Sequence, residues 1–285
     1  MSGRRAAVVG HPIAHSLSPV LHNAGYAAAG LAEWTYDALD LEPGGALAQL
    51  LHDEDPRWAG ISVTMPLKGE ALSAASGASS TARLVGAANT LIRRPTGWYA
   101  DNTDVTGMGG VLQAVKAPVG GAATVLGAGG TARAVLAALG RYGVKSAVVV
   151  ARRAGAVAAL HPIARAVGLR LRHGPWDRAA EHLGADVVVS ALPPGVADDL
   201  AGAAQWAPDG VYVDVLYDPW PTPLATAAAA AGVRVASGLD LLLAQSFDQF
   251  THFTGEPAPQ AAMRAALLDA RPDWVPADHG SAGPA

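Results

Sequence analysis

The stretch ATVLGAGGTARAVLAALG, residues 123–140, decides the fold. Ala123 to Leu126 read as a buried strand, the chain turns at Gly127, and the alanine-rich run after Thr131 reads as a helix. Gly127, Gly129 and Ala132 match the pattern G-x-G-x-x-G/A in the strand-to-helix setting that the pattern requires. The first glycine permits a tight turn. The second lets backbone approach a pyrophosphate, and the small third residue lets helix and strand pack closely. The helix N-terminus adds free N–H donors and a partial positive charge. A tight turn without a ligand would use the same glycines, so the loop is judged by what surrounds it.

About one helix and one turn later comes VVVARRAG, residues 148–155. A second strand ending here should carry an acid to hold an adenosine ribose, about 20 residues past the glycines. Ala151, Arg152 and Arg153 stand there instead. A carboxylate accepts from a free 2′-hydroxyl and repels a 2′-phosphate, whereas arginine offers phosphate a planar fork of donors and can stack on adenine. The bland alternative is two solvated residues opening a helix. Beside the glycine loop, the pair points to a dinucleotide carrying a 2′-phosphate, which is NADP. The candidate cradle is therefore Gly127, Ala128, Gly129, Gly130, Thr131 and Ala132, with Arg152 and Arg153.

Outward from this centre the pattern repeats. SAVVVARR, LRLRH, ADVVVSALPP, GVYVDVLY and VRVASG read as strands alternating with helices, an open α/β unit with a parallel sheet. Upstream, AAVVG (6–10), WTYDAL and WAGISV read as strands. Helices are expected over residues 18–31, with Ser18 as N-cap and Pro19 at the first helical position, and over GGALAQLLHD and LKGEALSAAS. ANTLIRR and WYADN predict a hairpin around PTG. A helix from Asp104 and the junction APVGGA lead into the second half. Two more helices close the chain, and the Pro, Gly and Ala-rich tail from Arg271 is expected to be disordered.

Composition fits this layout. The chain has 285 residues, enough for two domains, and 51% hydrophobic residues. A net charge of −4 and no long basic run argue against nucleic acid. Cysteine is absent, which excludes disulfides and thiol chemistry. No apolar run reaches the roughly 18 residues of a membrane helix, and the run after the N-terminal arginines is too short for a signal peptide. A cytoplasmic protein follows, with no membrane partner. His11, His15 and His22 do not read as a metal site, the first two flanking Pro12 in a loop with no acid expected beside them, and no metal is expected.

The N-terminal half carries polar residues just past its strands. HPIAHSLSP supplies Ser16 and Ser18, SVTMPLKGE supplies Thr64 and Lys68, and GAANT with ADNTD supplies Asn89, Thr90, Asn102 and Asp104. Ligands of open α/β sheets bind outside the carboxyl ends of the strands. Hydroxyls, amides, one amine and one acid suit a small hydroxylated ligand. Taken singly, Ser18 and Asp104 could be helix caps and Lys68 a surface lysine.

GHPIAHSLSPVLHN, SVTMPLKGEAL, GAANT, DNTD, LGAGGTAR and GLDLLLAQSFDQF together resemble the shikimate dehydrogenase family, in order and spacing, over residues from about 6 to 270. The resemblance implies an enzyme that reduces 3-dehydroshikimate to shikimate with NADPH, on the route to chorismate and the aromatic amino acids. It implies an N-terminal α/β substrate-binding domain with a mixed sheet, residues 1–104 plus 239–270. A Rossmann-type NADP-binding domain would span 105–238, with a cleft between the two that closes on ligand. Asp104 would begin one inter-domain connection, and the segment near Gly238 would form the other.

The resemblance assigns Ser16 and Ser18 to the substrate carboxylate, Thr64, Asn89 and Asp104 to its hydroxyls, and Tyr217 and Gln245 to further substrate contacts. Lys68 would be the essential lysine, paired with Asp104, and Gly238 would let backbone approach the nicotinamide. The substrate is a small molecule, and a monomer or homodimer is expected. The chain departs from the family pattern at four places: Ala151 for Asn, Arg153 for Thr, Ser62 for Asn, and SALPPG near the nicotinamide. A quinate or quinate/shikimate dehydrogenase using NAD would favour an acid at the end of the second strand. A catalytically silent ligand-binding regulator of the same fold would favour loss of Lys68 or Asp104, and both are present.

Overall fold

The computed structural model describes residues 3–277. Of these, residues up to Thr106 and Leu242–Trp274 form one compact unit, and Gly107–Leu241 with the residues from Val275 form the other.

In the first unit, strands β1 (Arg5–Gly10), β2 (Thr35–Asp40) and β3 (Trp58–Val63) alternate with helices α1 (Ser18–Ala28) and α2 (Ala46–Leu51). Helix α3 (Lys68–Ala74), the two-residue strand β4 (Gly77–Ala78) and helix α4 (Ser80–Val85) follow, then the hairpin β5 (Thr90–Arg94) and β6 (Gly97–Asp101). The six strands lie in the order β2-β1-β3-β5-β6-β4. β1 pairs parallel with β2 and β3, while β5 runs antiparallel to β3 and to β6, so the sheet is mixed. All six residues of β3 are buried. A strand covered on both faces reads as a continuous apolar run rather than an alternation. On one face Leu47, Leu67, Leu91 and the edge-on pair Trp58 and Trp98 form the core.

Helix α5 (Asp104–Ala114) takes the chain from the first unit into the second. There β7 (Ala122–Leu126), α6 (Gly130–Tyr142), β8 (Ser146–Ala151), α7 (Ala154–Ala158), α8 (His161–Ala166) and β9 (Arg170–Pro175) follow. Then come β10 (Val187–Ser190), β11 (Val211–Asp214), α9 (Pro223–Ala230) and β12 (Arg234–Ala236). The strand order β12-β11-β10-β7-β8-β9, parallel throughout, is that of a doubly wound dinucleotide-binding sheet. Its order reverses at β7, so the glycine loop after β7 sits at the topological switch point. The chain re-enters the first unit within helix α10 (Gly238–Thr254) and ends in α11 (Gln260–Ala270).

Four expectations need correction. Helix α1 stops at Ala28, and its cap position is Leu17, so Ser18 is its first residue rather than its N-cap. The helices expected after β9 and β10 are short 3₁₀ segments, Trp176–His182 and Asp198–Ala203. β4 and α4 went unread, because two residues cannot show alternation and six cannot show a helical period. The disorder expected from Arg271 does not describe residues 271–277. Trp274 is 2% exposed and the Ala277 N–H donates to Asp240 Oδ1 at 2.9 Å. Residues 278–285 of that tail lie outside the described residues.

Candidate active site

In the first unit the fold gathers its polar residues at the carboxyl ends of β1 and β3 and at the β5–β6 hairpin. Thr64 follows β3 directly, and its N–H donates to Val9 O. The turn that begins there places Lys68 at the first position of α3. Asp104 opens α5. Lys68 Nζ lies 2.6 Å from Asp104 Oδ2, with the two side chains 20% and 10% exposed. A pair this short and this sheltered holds its geometry far better than a surface ion pair.

Asn89 completes the arrangement. Its Nδ2 donates to Asp104 Oδ1 at 2.8 Å and to Thr103 Oγ1 at 3.0 Å. Its Oδ1 accepts from Thr103 N–H at 2.7 Å and from the Thr90 hydroxyl at 2.8 Å. The two oxygens of Asp104 are thus divided between an amide and an ammonium. Gln245 joins from α10: its Nε2 donates to Leu242 O, leaving Oε1 to face Asn89 Nδ2 at 3.3 Å and Thr103 Oγ1 at 3.2 Å. Ser16 and Ser18 sit at the mouth of α1, where the Ser18 N–H meets Ser16 Oγ at 3.4 Å. Lys68, Asn89, Asp104 and Gln245 are therefore in one bonded group, with Thr64 and the serines on neighbouring loops of the same unit.

Beneath this group lies a second layer. Tyr36 donates to Ser62 Oγ at 2.6 Å, and Ser62 donates to Gln249 Oε1 at 2.8 Å. Burial pushes the Tyr36 phenol above its ordinary range, against the opposing effect of its hydrogen-bond partners Ser62 and Ser18. His22 stacks on Tyr36 with ring centroids 4.2 Å apart. Neither ring nitrogen makes a hydrogen bond, and burial lowers the imidazole to about 3 despite the polar influence of Gln249. Thr103 and Gln249 escaped sequence reasoning. The signal for Gln249 was its spacing: Gln245 and Gln249 are four apart and share one helix face.

In the second unit, Gly127 has φ +97°, and a Cβ there would lie 2.8 Å from Ala191 O, so only glycine fits. A Cβ on Gly129 or Gly130 would meet nothing within 4 Å, which leaves this backbone approachable. Gly129 caps α6 without a side-chain bond, and Ala132 is fully buried. Free N–H groups, open backbone and a switch-point position suit a pyrophosphate. Ala128 and Thr131 complete the turn. Arg152 and Arg153 are exposed just past β8, where a ribose 2′-substituent would be read.

Tyr217 and Gly238 belong to this unit as well. Asp214, raised by burial, accepts from Tyr212 Oη at 2.7 Å, Thr222 Oγ1 at 3.0 Å and Leu216 N–H at 3.1 Å, and so anchors the loop that carries Tyr217. Gly238 donates to Leu216 O at 2.9 Å, and a Cβ there would lie 2.3 Å from Val215 O.

A doubly wound sheet with a glycine loop at its switch point, in a chain whose mixed-sheet unit holds a half-buried lysine–carboxylate pair, makes a two-unit oxidoreductase that uses a dinucleotide. Comparison with known proteins narrows this class. Residues 8–91 match the shikimate dehydrogenase substrate binding domain, and 238–268 match the shikimate 5′-dehydrogenase C-terminal domain. Residues 123–217 match the NADP oxidoreductase, coenzyme F420-dependent family. The chain is 37% identical over 273 residues to the NADP(+) shikimate dehydrogenase of Anaeromyxobacter sp. (strain K), covering 94% of this chain and 97% of that one. The crystal structure of Mycobacterium tuberculosis shikimate dehydrogenase superposes with a TM-score of 0.87 at 45% identity, covering 93% and 99% of the two chains. The Thermus thermophilus enzyme, solved in complex with NADP(H) and shikimate, superposes with a TM-score of 0.81 at 34% identity, covering 94% and 99%. This chain belongs to the shikimate dehydrogenase family.

Proposed function

We propose that this chain catalyses the reversible, NADPH-dependent reduction of 3-dehydroshikimate to shikimate. The observation that carries the reading is the Lys68–Asp104 contact of 2.6 Å, with Asn89 on the second carboxylate oxygen. When bound, NADPH supplies the hydride. Everything else falls to the chain's own residues.

Reduction of a ketone puts negative charge on its oxygen. Lys68 donates a hydrogen bond or proton to that oxygen, a role an ammonium group fills directly. Asp104 holds Lys68 in place and accepts from the neighbouring substrate hydroxyl. Asn89 and Thr64 serve the remaining hydroxyls, Ser16 and Ser18 hold the carboxylate, and Tyr217 and Gln245 add further substrate contacts. The loop from Gly127 to Ala132 cradles the pyrophosphate of the cofactor, Arg152 clamps its 2′-phosphate with Arg153 beside it, and Gly238 admits the nicotinamide amide. The absence of an acid after β8 favours NADP over NAD, and with it shikimate over an NAD-linked quinate activity. The reading goes with a cytoplasmic enzyme that acts as a monomer or homodimer and is organised as a substrate domain (1–104 with 239–270) and a cofactor domain (105–238).

The test is Lys68→Ala in shikimate oxidation with NADP. Positioned acid–base help is worth roughly 10²–10⁴-fold. We expect kcat to fall by at least about a hundredfold while the KM for shikimate moves little. A variant with near-normal kcat would remove Lys68 from the mechanism.

A further inference from the structure

We infer that Tyr36, Ser62, Gln249 and Thr90 form a one-directional orienting chain that fixes the Asn89 amide, and through it the carboxylate of Asp104. They would be positioning residues for the proposed reaction, and the inference rests on Lys68 and Asp104 being its catalytic pair.

Two backbone groups set the direction. The Thr103 N–H can only donate, and it points at one end of the Asn89 amide at 2.7 Å, so that end is Oδ1. Asn89 Nδ2 must then face Asp104 Oδ1. The Asn89 carbonyl can only accept, and one end of the Gln249 amide sits 3.2 Å from it, so that end is Nε2. Gln249 Oε1 must then face Ser62.

The hydroxyls follow. Gln249 Nε2 also donates to Thr90 Oγ1 at 3.1 Å, and of the two acceptors in reach the Thr90 proton meets Asn89 Oδ1 at 2.8 Å rather than Thr103 Oγ1 at 3.3 Å. The Ser62 proton goes to Gln249 Oε1, so Ser62 accepts from the Tyr36 phenol at 2.6 Å. Every donor in the series points from Tyr36 toward Asp104. All these residues are buried, and even Asp104 is only 7% exposed. In such surroundings a reversed amide would set donor against donor, and bonds in a series polarise one another. The second oxygen of Asp104 is thereby kept on the amide, leaving the first for Lys68.

Ser62 and Gln249 work as a unit here. Ser62 and Thr90 are cross-strand partners on β3 and β5. Gln249 reaches both hydroxyls from α10.

The test compares Gln249→Met and Thr90→Val, each close in shape to the original and stripped of its hydrogen bonds, with Lys68→Ala in the same shikimate and NADP assay. Rates are taken per folded protein. Each single variant is expected to lose about tenfold in kcat with the KM for shikimate within about twofold, the signature of lost orientation rather than lost binding. Thr90→Ser, which keeps the hydroxyl, is expected to restore kcat to within about twofold. The double variant should be no slower than about the slower single one, since both break the same chain. If Gln249→Met does not fold, Gln249→Glu replaces it with the same expected loss, because a carboxylate cannot donate to Thr90. Single variants with kcat within twofold of the parent would overturn the inference. So would a rise in KM at constant kcat, or losses that multiply in the double variant. If Lys68→Ala itself keeps its turnover, the catalytic reading fails instead, and the two failures are told apart within one data set.

Discussion

Lys68 and Asp104 stand 36 positions apart in the chain, yet their side chains meet at 2.6 Å. Each is the first residue of a helix, so a short rigid element holds each polar atom in place. Arg152 is the opposite case, exposed just past the end of β8 with no acid beside it in the sequence. A guanidinium on a phosphate contributes about 1.5–3 kcal/mol as a charge-assisted bond. Arg152→Ala should therefore raise the KM for NADP by roughly ten- to a hundredfold, and that for NAD by about twofold or less. Steady-state kinetics with both cofactors checks this, and equal effects on the two would leave Arg152 a plain surface residue.

Helix α10 shows how elements share the work. It closes over β3 so tightly that a Cβ on Gly60 would lie 2.0 Å from Phe253 Cδ1. Gly60→Ala is expected to cost about 1–3 kcal/mol by overpacking, read from urea unfolding. Wild-type stability would mean that α10 is seated more loosely. The same helix brings Phe250 and Phe253 against His22 of α1, whose imidazole is held at about 3 by burial. The sign follows from where the proton goes. Above about pH 6.5 the imidazole is neutral in both states and contributes nothing. As pH falls from about 6.5 toward 3, the unfolded chain takes up a proton that the folded chain refuses, and stability drops by up to about 1.4 kcal/mol per pH unit. His22→Phe keeps a ring to stack on Tyr36 and removes that titration. Its unfolding free energy should decline less between pH 7 and pH 5 than that of the parent. An identical decline in both would place the titrating group elsewhere.

At the scale of the whole chain, legibility followed local redundancy. The doubly wound unit could be read because β8, β10 and β11 carry unbroken apolar runs and the glycine loop marks the switch point. The Lys68, Asn89 and Asp104 group could be read because Lys68 and Asp104 follow strand ends and Asn89 stands just before β5, each within a distinctive motif. What stayed hidden depends on partners far apart in sequence. Gln249 meets Asn89 across 160 positions and Ser62 across 187, and helical spacing gives it a face without naming those partners. Ser18 looked like a cap because serine before proline usually is one, yet it is the first helical residue and only 4% exposed. Trp274, in a tail of low-complexity composition, is buried by contacts that composition cannot foretell.

Initial rates of reduced-nicotinamide formation, measured with shikimate and with quinate, each with NADP and with NAD, decide whether the chain oxidises shikimate with NADP. Shikimate with NADP is expected to have the highest kcat/KM of the four pairs, by at least about tenfold over either pair with NAD. Highest efficiency with quinate and NAD, or turnover of none of the four, would rule out an NADP-linked shikimate dehydrogenase activity for this chain.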